Sequence, residues 1–179
     1  MTKTQILIKD ISDSRRTYLD LLSRYSEEQA HWKPDPESWN MVEITEHLYW
    51  AEFGGIMGMW KTLDAIRSGK TERLLEFDHK GMSIEEVVEK TWQEKEKVPA
   101  VAAPRMGGTI GFWSASLQSL QEILESFGQY INDDELHIKA HPHPISGSLD
   151  FHQRLEFLRF HIDRHKNQAE RLGAALKNA

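Results

Sequence analysis

Three histidines carry the strongest chemical signal in the sequence. His161 and His165 are four residues apart, a spacing that places both imidazoles on one side of an α-helix, where they can bind one metal ion. His47 lies on or beside the inner stripe of another predicted helix and can face that pair. Three imidazoles would leave coordination positions open, as catalytic metal sites do. The pair alone also fits two histidines at the edge of the core, which would need hydrogen-bond partners to offset the cost of burial.

Two other kinds of metal protein share parts of this pattern. In a zincin protease, the residue after the first histidine is a catalytic glutamate, but Ile162 follows His161 here. A carboxylate-bridged di-iron bundle needs two Glu-x-x-His motifs on inward helix faces. The sequence has one such motif, at Glu76 and His79, in a polar connection, and none in the last helix. The spacing therefore disfavours both classes.

The helix that carries His47 is interrupted by glycine. Gly54, Gly55 and Gly58 lie within three turns after the histidine, and each costs about 1 kcal/mol of helix stability relative to alanine. Two interpretations compete at this stage. The small residues allow two helix backbones to approach closely, or they leave space beside the metal for a substrate.

A second pair of histidines, His141 and His143, precedes the last helix in the loop HPHPISGS. Such residues can form a pocket wall or shuttle a proton near the metal, and His143 is the better candidate. The composition of the loop favours a proline-rich surface turn instead. No protein side chain is assigned as catalytic; a metal-bound water is the expected reactive group, with His143 as a weak candidate beside it.

Several side chains near His47 also have two interpretations. Trp39 and Trp50 are either pocket aromatics or, as is more usual in a bundle, core residues. Glu43 and Glu46 could accept the free N–H of an imidazole, although solvated helix charge is the simpler interpretation. We expect surface positions for four further histidines and core packing for two aromatic residues, which are His31, His79, His137 and His152, and Phe112 and Trp113.

Helical periodicity dominates the elements that must position these residues. Apolar residues spaced three and four apart, together with capping signals, predict helices over residues 4–25, 40–68, 83–97, 114–127 and 150–176. Asn40 with Glu43, and Ser83 with Glu86, predict capping boxes, and Gly69 a helix end. No segment alternates with a period of two. The sequence therefore predicts an all-α fold, with four main helices and extra short helices in the connections.

Composition limits the classes of function. The chain has 179 residues, a net charge of −6 and no cysteine, which fits one domain over residues 1–179. The acidic balance, without a basic cluster, disfavours nucleic-acid binding. No stretch approaches the roughly 18 apolar residues of a membrane span, and no signal peptide is evident, so we expect a cytoplasmic protein. Any thiol in the chemistry must come from a ligand.

Two stretches resemble a known family, and the overall helix order and the helix before Gly128 resemble it more weakly. SEEQAHWKPDPESWNMVEITEHLYWAE is similar to the Trp-Ser-hydrophobic-x-Glu-hydrophobic-x-x-His-Leu pattern of the DinB/YfiT-like superfamily of metal-dependent enzymes, with Trp39 at the tryptophan and His47 at the first metal histidine. HPHPISGSLDFHQRLEFLRFHIDRHKNQ resembles that family's loop and ligand helix, with His161 and His165 at the other two ligands and Gln168 at a characteristic glutamine. Residues 69–111 match only in character, and Asn40 replaces the usual Ser or Thr cap.

The resemblance implies a four-helix bundle with up-down-down-up helix directions, in which His47, His161 and His165 hold a nickel or zinc ion. It also implies a homodimer. Three functions follow for comparison. The first is a metal-dependent S-transferase or hydrolase that acts on a small molecule with the help of a low-molecular-weight thiol. The second is a metal-binding stress-response or binding protein without turnover, and the third is a helical interaction module without metal.

Overall fold

A computed structural model describes residues 1–91 and 98–178 of the chain. Within them the secondary structure is helical, and no strand forms beyond two isolated β-bridges. The helices are α1 (Lys3–Leu22), α2 (Glu27–His31), α3 (Met41–Arg67), α4 (Ile84–Thr91), α5 (Ile110–Tyr130) and α6 (Phe151–Leu176), with a short 3₁₀ turn over Asp133–Glu135. The predicted all-α fold is confirmed.

The four long helices pack around one core. Helices α1 and α3 each pack against both α5 and α6, so the buried stripes of all four helices meet. The stripe predicted for the last helix is buried at Phe151, Leu155, Leu158 and Ile162. The up-down-down-up order of helix directions stays a prediction. No helix in the described part of the chain is both long and apolar enough to cross a membrane.

Capping explains where the functional helices begin. Asn40 accepts a hydrogen bond from the backbone N–H of Glu43, and the Glu43 side chain bonds the Asn40 backbone in return. Asp150 and Gln153 form the same reciprocal pair at the start of α6. These boxes satisfy N–H groups that the first helical turn leaves unpaired. The predicted cap at Asn40 is thus confirmed, and Gly69 ends α3 with a φ of 72°.

Some boundaries differ from the prediction. The first helix ends three residues early, and α2 follows it with its own Ser26–Gln29 capping box, which the sequence analysis missed. Helix α5 begins at Ile110 instead of residue 114, because Thr109 caps it through the Phe112 backbone N–H. Helix α4 is described to Thr91; the remainder of the helix predicted to residue 97 lies outside the described residues.

Candidate metal centre

Helices α3 and α6 bring the three predicted histidines together. The Nε2 atom of His161 lies 3.1 Å from Nε2 of His47 and 3.1 Å from Nε2 of His165. All three ligand atoms lie within 4.8 Å of one another. His47 and His165 are buried, at 5% and 8% exposure, and His161 is half-buried between them. Three imidazole nitrogens thus converge on one point.

The opposite ring nitrogens fix the tautomers of two of these imidazoles. His47 Nδ1 donates to the Ala102 carbonyl (2.8 Å), and His165 Nδ1 donates to Gln168 Oε1 (2.8 Å). Because a neutral imidazole carries one hydrogen, Nε2 of each ring must present a lone pair. Both lone pairs face His161 Nε2, which has one hydrogen at most to share between them. A shared cation would accept all three nitrogens.

The spacing of the nitrogens fits a transition-metal ion. If each nitrogen lay about 2.0–2.1 Å from a common zinc ion, two nitrogens 3.1 Å apart would subtend roughly 100° at the ion. That angle lies between octahedral and tetrahedral geometry. Imidazole suits zinc, nickel, copper and iron, so the donors do not identify one element. The group is compatible with such a site.

Burial keeps the three histidines neutral, as metal ligation requires. It lowers the pKa of His47, and together with His47 it lowers the pKa of His165 to about 3. Burial and the flanking histidines hold the pKa of His161 well below its ordinary value. Protons therefore compete weakly for these nitrogens near neutral pH.

Glu46 supports the site from behind, and the interpretation of Glu46 as a solvated charge is wrong. Its side chain is fully buried and accepts hydrogen bonds from the backbone N–H groups of Arg105 (2.8 Å), Met106 (2.8 Å) and Gly107 (3.0 Å) and from Trp50 Nε1 (3.2 Å). Burial opposes ionisation, but these bonds outweigh it and lower the pKa of Glu46. The carboxylate thereby anchors the loop that supplies the Ala102 carbonyl to His47.

A cavity of about 600 Å³ adjoins the three histidines. Its described walls come from Trp39, α3, α4, α6, the loop over residues 98–102 and the loop over residues 141–146. The α6 wall presents Arg154, Leu158, His161, His165 and Gln168, which recur at the spacing of one helix face. A volume of this size suits a small organic ligand.

The glycines of α3 serve both predicted roles, close helix packing and space for a ligand. A Cβ atom added to Gly54 would meet nothing within 4 Å, and Gly54 lines the cavity, so this residue leaves space for a ligand. A Cβ at Gly55 would touch Leu158 Cδ2 of α6 at 3.3 Å, which is close helix packing. At Gly58 it would lie 2.4 Å from His141 Nε2. Gly58 therefore makes room for a side chain of the HPHP loop.

The HPHP loop forms part of the cavity wall, so the surface-turn interpretation is wrong for His141 and His143. Both are half-buried and line the cavity. His143 Nδ1 accepts hydrogen bonds from the backbone N–H groups of Ser146 (3.0 Å) and Ile145 (3.3 Å). Nε2 must then carry the hydrogen of the neutral ring, so His143 can donate but is a poor base. Burial lowers its pKa to about 3.

The remaining candidates separate into cavity and structural roles. Trp39 and Trp50 pack against the core and also line the cavity, with the Trp39 ring 5.1 Å from the His47 ring. Glu43 pairs with Lys33 at the surface. Trp113 is buried as predicted, whereas Phe112 is 54% exposed, which contradicts the predicted core position. Sequence reasoning missed Arg154, although it lies seven residues before His161 and therefore on the same helix face.

Comparisons with known proteins agree with this description. The family model of the DinB superfamily matches residues 10–169. The crystal structure of a conserved protein from Enterococcus faecalis has the same fold, with a TM-score of 0.56, 14% sequence identity, and coverage of 100% of this chain and 99% of that one. No curated protein matches the sequence.

Proposed function

The chain belongs to the DinB superfamily, and from that premise we propose that it is a metal-dependent enzyme acting on a small molecule. His47, His161 and His165 hold one divalent transition-metal ion, nickel or zinc by the family resemblance. The substrate occupies the adjoining cavity. The supporting observation is the convergence of three Nε2 atoms, two of which must present lone pairs because their Nδ1 atoms donate to Ala102 and Gln168.

The chemistry that fits this site is nucleophilic attack by water or by a thiol. A divalent ion supplies Lewis acidity, which lowers the pKa of a coordinated water or thiol. The protein itself has no cysteine, so a thiol nucleophile belongs to a low-molecular-weight co-substrate. The described cavity wall contains neither aspartate nor glutamate. The two reactions proposed are S-transfer and hydrolysis, in which a metal held by His47, His161 and His165 would supply the activation that no carboxylate of the described wall provides.

The surrounding residues position the histidines and limit the access of water. The Ala102 carbonyl and Gln168 Oε1 fix the ring orientations of His47 and His165. The Phe157 ring stacks on His161 with centroids 5.7 Å apart. Apolar walls such as Trp39 and Leu158 exclude bulk water, which strengthens electrostatic interactions inside the cavity.

Elemental analysis of the purified protein, with matched histidine variants, tests the metal. We expect about one equivalent of a transition metal, its loss in His165→Ala, and its retention in His152→Ala, which lies on the same helix outside the cavity. Metal at the wild-type level in His165→Ala would refute the site. Absence of metal after growth with added zinc and nickel would favour the interaction module.

Activity assays then separate an enzyme from a binding protein. A chloronitrobenzene offered with low-molecular-weight thiols tests S-transfer, and nitrophenyl esters test hydrolysis. We expect turnover that depends on His165 and is unaffected in His152→Ala. Background rates across both panels, with full metal content, would favour the binding protein without turnover. The expected homodimer stays a prediction, which sedimentation velocity tests.

A further inference from the structure

Arg154 is a buried cation in the cavity wall. It lies in the first turns of α6 and is 5% exposed. One guanidinium nitrogen, Nη2, donates to His141 Nε2 at 2.7 Å. The other two nitrogens, Nε and Nη1, are buried and have no hydrogen-bond partner, and neither does Nδ1 of His141. The pair thus holds unsatisfied donors, because His141 accepts through Nε2 and must carry its hydrogen on Nδ1.

The charge of Arg154 also lacks a carboxylate in the described part of the chain. The other buried arginine, Arg15, lies 2.7 Å from Glu52, and Arg67 lies 2.6 Å from Glu135. No such ion pair forms at Arg154. Burial lowers its pKa to about 10, which still leaves it charged at neutral pH. A buried charge without a counter-ion destabilises the folded protein. An anionic ligand beside the guanidinium would remove that cost.

The composition of the described cavity wall points in the same direction. Among the described residues, the lining includes Arg154 and has no aspartate or glutamate. The chain as a whole has a net charge of −6. Within an acidic protein, the described surroundings of Arg154 therefore favour an anion over a cation.

The position of Arg154 relative to the histidines sets the shape of the ligand. Arg154 precedes His161 by seven residues on α6, so the two lie on one helix face about 10 Å apart along the axis. A ligand anchored at Arg154 would extend along α6 past Leu158 and bring its other end to the three histidines. Both residues line the same cavity.

We propose that Arg154 and His141 form a subsite for the carboxylate of a small-molecule ligand whose other end reaches His47, His161 and His165. Nη2 keeps a second hydrogen after it donates to His141 Nε2, and together with the neighbouring Nε or Nη1 it offers the fork geometry that binds a carboxylate through both oxygens. Nδ1 of His141 supplies a further donor. The subsite names a substrate class for the proposed enzyme, but carboxylate binding needs neither metal nor turnover, so the two proposals can fail separately.

The test compares a carboxylate with its neutral analogue. Phenylbutyrate and phenylbutyramide have the same apolar body, and binding of each is measured by calorimetry and by the fluorescence of Trp39 and Trp50, which line the cavity. We expect the wild-type protein to bind phenylbutyrate with a Kd on the order of 1 mM or below and the amide about tenfold or more weakly. Both metal-loaded and chelator-treated protein are measured.

Variants then assign the preference to Arg154. Arg154→Met is expected to bind the carboxylate at least about tenfold more weakly and the amide unchanged, and Arg154→Lys to retain part of the preference. Arg171→Met is the matched control, because Arg171 is exposed on the same helix and lies outside the cavity wall. Unchanged binding of the amide shows that the cavity of Arg154→Met is intact.

Three results would overturn the subsite. The first is equal binding of acid and amide by the wild-type protein, which needs no variant to fold. The second is no detectable binding of phenylbutyrate up to about 10 mM. The third is a carboxylate preference that disappears with the metal and survives Arg154→Met, since the anion would then lie on the metal. Failure of the metal to bind at all would refute the proposed enzyme and leave this comparison valid.

Discussion

Replacement of Glu46 by glutamine tests whether the loop behind His47 controls the metal site. The carboxylate accepts four hydrogen bonds, three of them from the consecutive backbone N–H groups of Arg105, Met106 and Gly107. An amide offers one acceptor oxygen and turns an NH₂ group toward the same donors. At least one of these N–H groups would therefore lose its acceptor, and the remaining bonds would no longer have an ionised acceptor.

The magnitude follows from the number of bonds affected. A donor left without a partner costs about 1–3 kcal/mol when buried and less where water reaches it, and each remaining bond loses the extra strength that ionisation gives it. Because the three backbone donors belong to exposed residues, we expect Glu46→Gln to lower the free energy of unfolding by roughly 1–3 kcal/mol, against a total of about 5–15 kcal/mol for a typical domain. Urea denaturation of the metal-free protein measures this loss directly.

Metal affinity should fall as well, because the displaced loop carries the Ala102 carbonyl that orients His47. Loss of such an outer hydrogen bond typically costs 10–100-fold in metal affinity, and competition with a chromophoric zinc chelator measures the change. Glu122→Gln, at an exposed position of α5, is the control. Unfolding and zinc affinity equal to wild type in Glu46→Gln would refute the role of this carboxylate.

Three further predictions follow from the same site. Gly58→Ala should destabilise the protein by about 1–3 kcal/mol because its Cβ would lie 2.4 Å from His141 Nε2, whereas Gly54→Ala, with nothing within 4 Å, should raise the melting temperature slightly; equal thermal shifts would contradict the contact. Bound metal should stabilise the folded protein by about 2.7 kcal/mol at a free metal concentration one hundred times Kd. Chelator treatment should therefore lower the melting temperature of the wild-type protein and leave that of His165→Ala unchanged. Because the folded-state pKa of His141 is about 4 and that of His165 about 3, the unfolded chain binds more protons below about pH 6.5; the stability of the metal-free protein should therefore fall as pH is lowered from that value, and a flat urea-midpoint profile between pH 6.5 and 4.5 would contradict the burial of neutral imidazoles.

Periodicity and capping predicted the parts of the fold that depend on local sequence. The stripe of α6 and the i, i+4 spacing place His161 and His165 on one face regardless of the rest of the chain. The Asn40 box sets the start of α3 and hence the position of His47. Helical spacing alone left open whether His47 meets the other two, and the family resemblance made that meeting the expected outcome.

Contacts between distant segments could not be predicted in this way. The local sequence predicts a solvated helix charge at Glu46. In the fold, a loop that begins 59 residues later covers this side chain and donates three backbone N–H groups to it. The role of His141 depends on Gly58 of α3 and Arg154 of α6 meeting at the same point. Phe112 is exposed because it lies off the buried stripe of α5, which runs through Trp113 and Leu117. The errors at Glu46 and His141 arise where tertiary packing overrides a local preference.

The two ends of the cavity differ in the kind of group they present. At one end, Nε2 of His47 and of His165 must offer lone pairs, which favour a cation. At the other end, Arg154 and His141 offer N–H groups without acceptors, which favour an anion. Arg154 and His165 lie on one face of α6, so a ligand with a carboxylate and a metal-reactive group would be held in one orientation. A neutral ligand of the same size would lack that constraint, and a cationic one would be repelled by Arg154.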